Sequence, residues 1–207
     1  MKVVIFGATG TVGSQVVRQA LVAGDHVTAF VRDASKLEIE NPNLEVVAGD
    51  VLSDTDQIRS AIVGRDSVIV ALGAGAKGRV RSIGTRNVIA AMRETGVRHL
   101  ICQSTLGAGD SFSRLNFKWK LLFRGPLRWA MADHERQEQV VRESGLDWTI
   151  VRPAAFSDGP ATGSYFHGDP IAEKQLTLKV SRADVAQFLL RQLGDRSYLS
   201  KSVSLSY

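Results

Sequence analysis

Short apolar runs alternate with longer stretches of mixed polarity along the chain. Near-continuous runs at Lys2–Phe6, His26–Val31, Leu44–Ala48, Ser67–Leu72, Arg98–Gln103 and Asp147–Val151 predict strands covered on both faces. Between them, apolar residues recur at helical spacing. Thr11–Ala23 groups Val12, Val16, Ala20 and Val17, Leu21, and stops at Gly24; Ser82–Thr95 and Asp133–Ser144 stop at Gly96 and Gly145. Ser181 reads as the cap of a last helix through Leu193, with a final strand at Leu199–Leu205. This succession predicts an α/β fold, a doubly wound parallel sheet, in a single domain over residues 1–207. Two stretches, 106–132 and 154–179, break the repeat. Both follow strands at the end where such sheets bind ligands, so both are expected to be substrate-side loops or insertions.

Composition narrows the class. The chain has 207 residues, 44% hydrophobic and 23% charged, enough for a full core without a metal or disulfide staple. Its one cysteine, Cys102, excludes an intrachain disulfide and reads as an inert core thiol, and no Cys/His cluster suggests a metal. The N-terminal apolar run is too short for a secretory signal, and a membrane span needs about 20 apolar residues. The expectation is therefore a cytoplasmic protein. The net charge of +5 is carried entirely by one segment, which holds Arg114, Lys118, Lys120, Arg124 and Arg128 and no acid. So localised an excess argues against a nucleic-acid partner spread over the surface.

The first strand runs into Gly7-Ala8-Thr9-Gly10-Thr11-Val12-Gly13, which opens the first helix. Gly7 permits a tight turn, Gly10 lets backbone approach a pyrophosphate, and Gly13 is expected to let the helix pack close to the sheet. The helix N-terminus offers free N–H groups to phosphate. The second strand ends at Arg32, where an NAD site usually has a carboxylate, and Lys36 follows. Two cations fit the 2′-phosphate of NADP, with Asp33 as the competing ribose acceptor. Asp50-Val51 is placed to contact adenine, with a turn aspartate as the alternative. Glycines in Ala71-Leu72-Gly73-Ala74-Gly75 would let the chain run beside the cofactor.

These segments, with Arg142-Glu143-Ser144-Gly145-Leu146, Arg152-Pro153, Asp158, Pro160 and Thr162-Gly163-Ser164-Tyr165, resemble the biliverdin-IXβ reductase/flavin reductase family of atypical short-chain dehydrogenase/reductases. The resemblance covers nearly the whole chain except the basic segment around 112–130. It implies a Rossmann-type NAD(P)-binding fold and NADPH-dependent reduction of flavins, and of biliverdin-type linear tetrapyrroles, with flavin a substrate rather than a bound group. It carries cofactor roles over to Gly7, Thr9, Gly10, Thr11, Val12, Arg32, Lys36, Asp50, Val51, Leu72 and Gly73. Ser104 and Thr105 match the family's hydroxyl pair at the nicotinamide. Pro153-Ala154-Ala155, expected to border the cofactor, stands where the family has Pro-Pro-His, and Gly75 replaces its arginine.

The usual short-chain dehydrogenase acid, a tyrosine with lysine four residues later, is absent: Tyr165, Tyr198 and Tyr207 have no such partner. That argues against a ketone reductase or epimerase. Flavin reduction needs mainly that two planar rings be held together, since the remaining proton can come from water. Ser104 and Thr105 are the candidate catalytic residues, with strand-end capping as the alternative. Phe156, Tyr165 and Phe166 are candidates for an aromatic acceptor pocket. His134, beside Asp133, reads as a surface residue, with proton donation as the alternative. Segment 114–128 can lie on an anionic membrane, cover the site, hold anionic substrate groups or bind a protein; its bland reading is a core-docked helix with a solvated basic face. On its wheel Leu115, Trp119, Leu122 and Phe123 share one arc. The rival function is a redox-inactive NADP(H)-binding regulator or assembly factor docking a partner through that segment. Oligomeric state stays open, with a monomer favoured.

Overall fold

The computed structural model describes residues 1–73, 78–115, 117–168 and 177–207. In chain order the elements are β1 (Lys2–Phe6), α1 (Gly13–Val22), β2 (His26–Val31), β3 (Leu44–Ala48), α2 (Thr55–Ile62), β4 (Ser67–Val70), α3 (Val80–Thr95), β5 (His99–Gln103), α4 (Phe117–Arg124), α5 (Arg128–Arg142), β6 (Asp147–Pro153), β7 (Ala155–Ser157), β8 (Phe166–Gly168), β9 (Lys179–Ser181), α6 (Arg182–Arg191) and β10 (Lys201–Ser206). The main sheet runs β3-β2-β1-β4-β5-β6-β10-β8, all parallel except the antiparallel edge strand β8. It is the doubly wound parallel sheet of the Rossmann type. β7 and β9 form a separate parallel pair.

Alternation along β1 shows how one strand serves two layers. Val3 and Ile5 join the core under α1 and α6, whereas Val4 and Phe6 join the core under α2, α3 and α5. All four are fully buried, which is why β1 reads as an unbroken apolar run. The edge strand β3 is only half covered and leaves Glu45 and Val46 exposed.

Several boundaries differ from expectation. β4 stops at Val70, two residues early, and Ala74 and Gly75 of the loop beyond it lie outside the described residues. α2 carries only Ile58, Ala61 and Ile62 as buried residues among polar ones, too weak a period to stand out. α5 begins at Arg128, over a turn earlier than Asp133, because Met131 docks into a small third core with Ala108, Leu115 and Phe123. Ser181 caps α6 as expected, its hydroxyl accepting from Asp184 N at 3.0 Å.

β1 pairs with β2 on one side and β4 on the other, with Phe6 opposite both Phe30 and Val70. Strand order reverses there, so a crevice opens beyond the C-terminal ends of these strands.

Candidate functional site

The crevice begins at the glycine turn. Gly7 has φ +87°, and a Cβ there would sit 2.4 Å from the Ala71 carbonyl oxygen of the neighbouring strand end. Gly10 N–H donates to the Gly7 carbonyl at 2.9 Å, closing the turn. A Cβ on Gly13 would lie 2.0 Å from the Gly7 oxygen. Gly13 therefore lets α1 pack on the turn's own backbone, a correction to its expected packing on the sheet, and it lines neither cavity. No side chain caps α1, which leaves its N-terminal dipole for an anion.

A cavity of about 520 Å³ extends from this turn over the end of β2. Gly7, Thr9, Gly10, Arg32, Lys36, Asp50, Val51, Leu72 and Gly73 line it, together with Phe30 and Val80. Arg32 is exposed and makes no ion pair among the described residues. Asp33 is already occupied. Its Oδ1 accepts from Ser35 N at 3.1 Å and Ser35 Oγ at 2.6 Å, contacts that with the Lys36 ammonium 3.8 Å away hold its pKa below the usual carboxylate range. Asp33 does not line the cavity, so its ribose role is not supported. Asp50 does line it while also closing a turn, its Oδ1 accepting from Leu52 N at 2.9 Å. Asp50 is thus the turn aspartate of the alternative reading, and it borders the cavity where the adenine contact is expected. A dinucleotide fits this cradle: glycines stand where any Cβ would meet backbone, and the uncommitted cation lies at the ribose end.

A second cavity, about 300 Å³, continues from Gly10, Thr11 and Val12 toward β5 and β6. Its polar end holds Arg81, Gln103, Ser104, Thr105 and His134, and its walls are Leu106, Leu115, Trp119, Phe123, Leu127, Ala154, Ala155, Phe156 and Leu178. Both irregular stretches thus supply walls. Leu178 holds φ 57°, unusual for a branched residue, next to the β7–β9 pair. Phe156 lies under the Arg182 guanidinium, 5.5 Å from its ring centre.

Two expected substrate residues are elsewhere. Tyr165 packs edge-on against Phe188, and its hydroxyl donates to Gln187 Oε1 at 3.3 Å. Phe166 is 53% exposed on the edge strand β8, opposite Ser206. Neither lines either of these two cavities, because pairing of β8 with β10 carries both away from the strand ends. Pro153 also lines neither cavity; it ends β6 opposite Leu205, and Ala154 and Ala155 follow into the site.

His134 is not a surface residue. It is buried at the polar end of the second cavity, and its Nδ1 has no hydrogen-bond partner. Burial, with the nearby Arg81 charge, pushes its pKa down to about 3, so the imidazole is neutral at pH 7. Asp133 beside it is fully buried and caps α3 from another helix, accepting from Arg81 N and Ser82 N at 3.2 Å each and Ser82 Oγ at 2.6 Å. Arg81 Nη1 lies 3.7 Å from this carboxylate, while Nε and Nη1 have no hydrogen-bond partner. Sequence reasoning missed Arg81 and discounted His134, since a lone charge at a helix start carries no local signal.

Behind the polar end lies an ion cluster centred on the buried Glu138 and Arg152. Arg152 Nε and Nη2 donate to Glu138 Oε1 and Oε2 at 2.9 and 2.8 Å, and Arg142 Nη2 donates to Oε2 at 2.7 Å. Arg152 Nη2 also reaches Asp110 Oδ1 at 2.7 Å. Burial alone would raise the Glu138 pKa, but its two guanidinium partners hold it below the ordinary value. The Ser104 hydroxyl adds to this field without reaching hydrogen-bond geometry. The cluster ties α5 and β6 to the loop that carries Ser104 and Thr105. Cys102, fully buried with its pKa raised by desolvation, is the inert thiol expected.

A glycine turn at a strand-order reversal, an open helix N-terminus and two cations at the end of the second strand, Arg32 without an ion pair among the described residues, define a dinucleotide-binding protein of the Rossmann type. A family model described as NAD(P)H-binding matches residues 7–196, and the chain belongs to that family. A chloroplast protein of Arabidopsis thaliana, At2g34460, is 29% identical over 174 residues, or 79% of this chain and 62% of its own length. An NAD(P)H azoreductase of Xenophilus azovorans is 32% identical over 157 residues, or 74% of this chain and 48% of its own. The chain thus spans less than two thirds of either relative. Among solved structures, ChuY, an anaerobillin reductase from Escherichia coli O157:H7, matches with TM-score 0.83 and 26% identity over 100% of this chain and 97% of that one.

Proposed function

We propose that the chain is an NADPH-dependent reductase that passes hydride to a planar conjugated acceptor, a flavin or a biliverdin-type linear tetrapyrrole. The observation that carries this reading is the second cavity, apolar-walled and polar at one end, opening directly from the glycine turn. Two relatives named as reductases, of azo compounds and of anaerobillin, agree with a conjugated acceptor. The preference for NADPH rests on Arg32 and Lys36 at the ribose end, with Asp33 engaged by Ser35.

NADPH bound in this crevice would supply the hydride. The turn and the α1 N-terminus would hold its pyrophosphate, and Arg32 with Lys36 would hold the 2′-phosphate. Ser104 and Thr105 hydrogen-bond the carboxamide or the acceptor's polar edge. Leu115, Trp119, Phe123 and Phe156 exclude water and keep the acceptor ring stacked, a proximity effect. His134 is neutral near pH 7 and offers only a hydrogen bond, so the proton that completes reduction comes from solvent.

The test is NADPH oxidation by purified protein with FMN, lumiflavin, biliverdin and an azo dye in turn. Turnover with a flavin or tetrapyrrole supports the reading. Tight NADPH binding with no turnover on any acceptor overturns it in favour of a redox-inactive regulator.

A further inference from the structure

Helix α4 has two faces with different chemistry. Inward, Trp119 and Phe123 stack with ring centres 5.6 Å apart, and Phe123 joins Leu115 and Met131 in the third core. Outward, Phe117 and Leu121, one turn apart, are 79% and 64% exposed. Trp129, just beyond the Gly125-Pro126 turn, is 57% exposed. Leu122, placed by the wheel on the inner arc, is also at the surface. The core-docked helix with a solvated basic face is present as the bland reading expects, and its outer face carries large apolar groups as well.

The cations complete the picture. Lys118, Arg124 and Arg128 are exposed, and Lys120 is half-buried. None of the four forms an ion pair among the described residues, and no acid lies between Asp110 and Asp133. Lys120 donates to the Ser113 carbonyl at 2.7 Å, while Arg124 and Arg128 lie over the rings of Phe112 and Trp129. Their charge is therefore unneutralised beside exposed apolar groups.

We propose that this face docks the protein on an anionic phospholipid surface, with α4 in the interfacial plane. Phe117, Leu121 and Trp129 enter the boundary between headgroups and acyl chains, and Lys118, Lys120, Arg124 and Arg128 meet lipid phosphates. Charge complementarity selects the sign of the partner, and the apolar ridge selects its kind. A nucleic acid would be held by the cations alone and gives aliphatic Leu121 nothing to stack on. Because Trp119 and Phe123 wall the second cavity from the inner face of the same helix, docking also fixes one wall of the site.

The experiment is co-sedimentation with vesicles of phosphatidylcholine alone or mixed with phosphatidylglycerol, at low and high salt. Two variants accompany the native protein: Phe117→Ser/Leu121→Ser and Lys118→Gln/Lys120→Gln/Arg124→Gln, with NADPH binding as the check that each is folded. The native protein should pellet with the anionic vesicles only, less at high salt. Each interfacial cation contributes about fivefold to partitioning, so the triple variant should lose about a hundredfold. The apolar variant should lose about tenfold or more. No pelleting with anionic vesicles at low salt overturns the proposal. Unchanged binding of the Phe117→Ser/Leu121→Ser protein overturns it too, since the attraction would then be to any polyanion, as would binding to heparin at equal strength.

Discussion

Removing the Arg32 guanidinium tests cofactor choice at a cation that no carboxylate among the described residues engages. Arg32 lines the ribose-side cavity, is exposed, and forms no ion pair among the described residues, so nothing in the folded chain competes with a ligand phosphate for it. A charge-assisted hydrogen bond contributes about 1.5–3 kcal/mol. Exposure to solvent puts Arg32 toward the lower end, so Arg32→Ala should weaken NADPH binding about tenfold, and at most about a hundredfold. NADH has no 2′-phosphate, and its affinity should change less than about twofold by the same reasoning. Lys36→Ala should act in the same direction but more weakly, because its ammonium already faces Asp33 at 3.8 Å. Titrating intrinsic tryptophan fluorescence with each cofactor, at fixed ionic strength, gives both constants. Equal losses for NADPH and NADH in Arg32→Ala would refute the assignment and return the ribose site to another residue.

Glu138→Gln leaves the buried Arg152 guanidinium facing a neutral amide, with the exposed Arg142 losing only a surface partner, which should cost about 3 kcal/mol in urea unfolding, a large share of a typical ~5–15 kcal/mol; a loss below about 1 kcal/mol would show that the cluster is not a structural anchor. Since its folded pKa is lowered, the stability Glu138 supplies is present above about pH 4.3 and fades as pH falls toward its folded value, so the variant should also lose part of the acid transition. His134 works in a different window. Its folded pKa of about 3 lies below the unfolded value of 6.5, so the unfolded chain takes up the proton first and stability falls as pH drops below about 6.5. That loss reaches about 2 kcal/mol at pH 5, and His134→Asn should flatten the stability–pH slope between pH 6.5 and 5 by about this amount; an unchanged slope would mean that the imidazole is not buried neutral. Tyr165→Phe should leave kcat for flavin reduction within about tenfold, short of the ~10²-fold expected for a general acid, and a larger drop with NADPH affinity intact would make the hydroxyl catalytic.

The strands and the cofactor cradle were legible along the chain because both are written locally. A strand segment buried on two faces reads as an unbroken apolar run, as Val3–Phe6 of β1 and Val68–Val70 of β4 do, and a turn that admits no Cβ at residues 7 and 13 must be glycine. Arg32 and Lys36 follow directly from the end of β2, so counting from the strand finds them. What tertiary structure decided is which distant residues converge. The polar end of the second cavity draws Arg81 from α3, Ser104 from the end of β5 and His134 from α5, and only the packing of α3 on α5, pinned by Asp133, brings them together. The same holds for Tyr165 and Phe166, which look like pocket aromatics until β8 pairs antiparallel with β10 and takes them to the sheet edge. Local pattern records which residues a backbone conformation requires; whether a buried charge is a ligand contact or an anchor depends on its neighbour. Arg152 on β6 grips Glu138 on α5, whereas Arg32 meets no carboxylate among the described residues, a difference set by packing between elements that no short window of sequence contains.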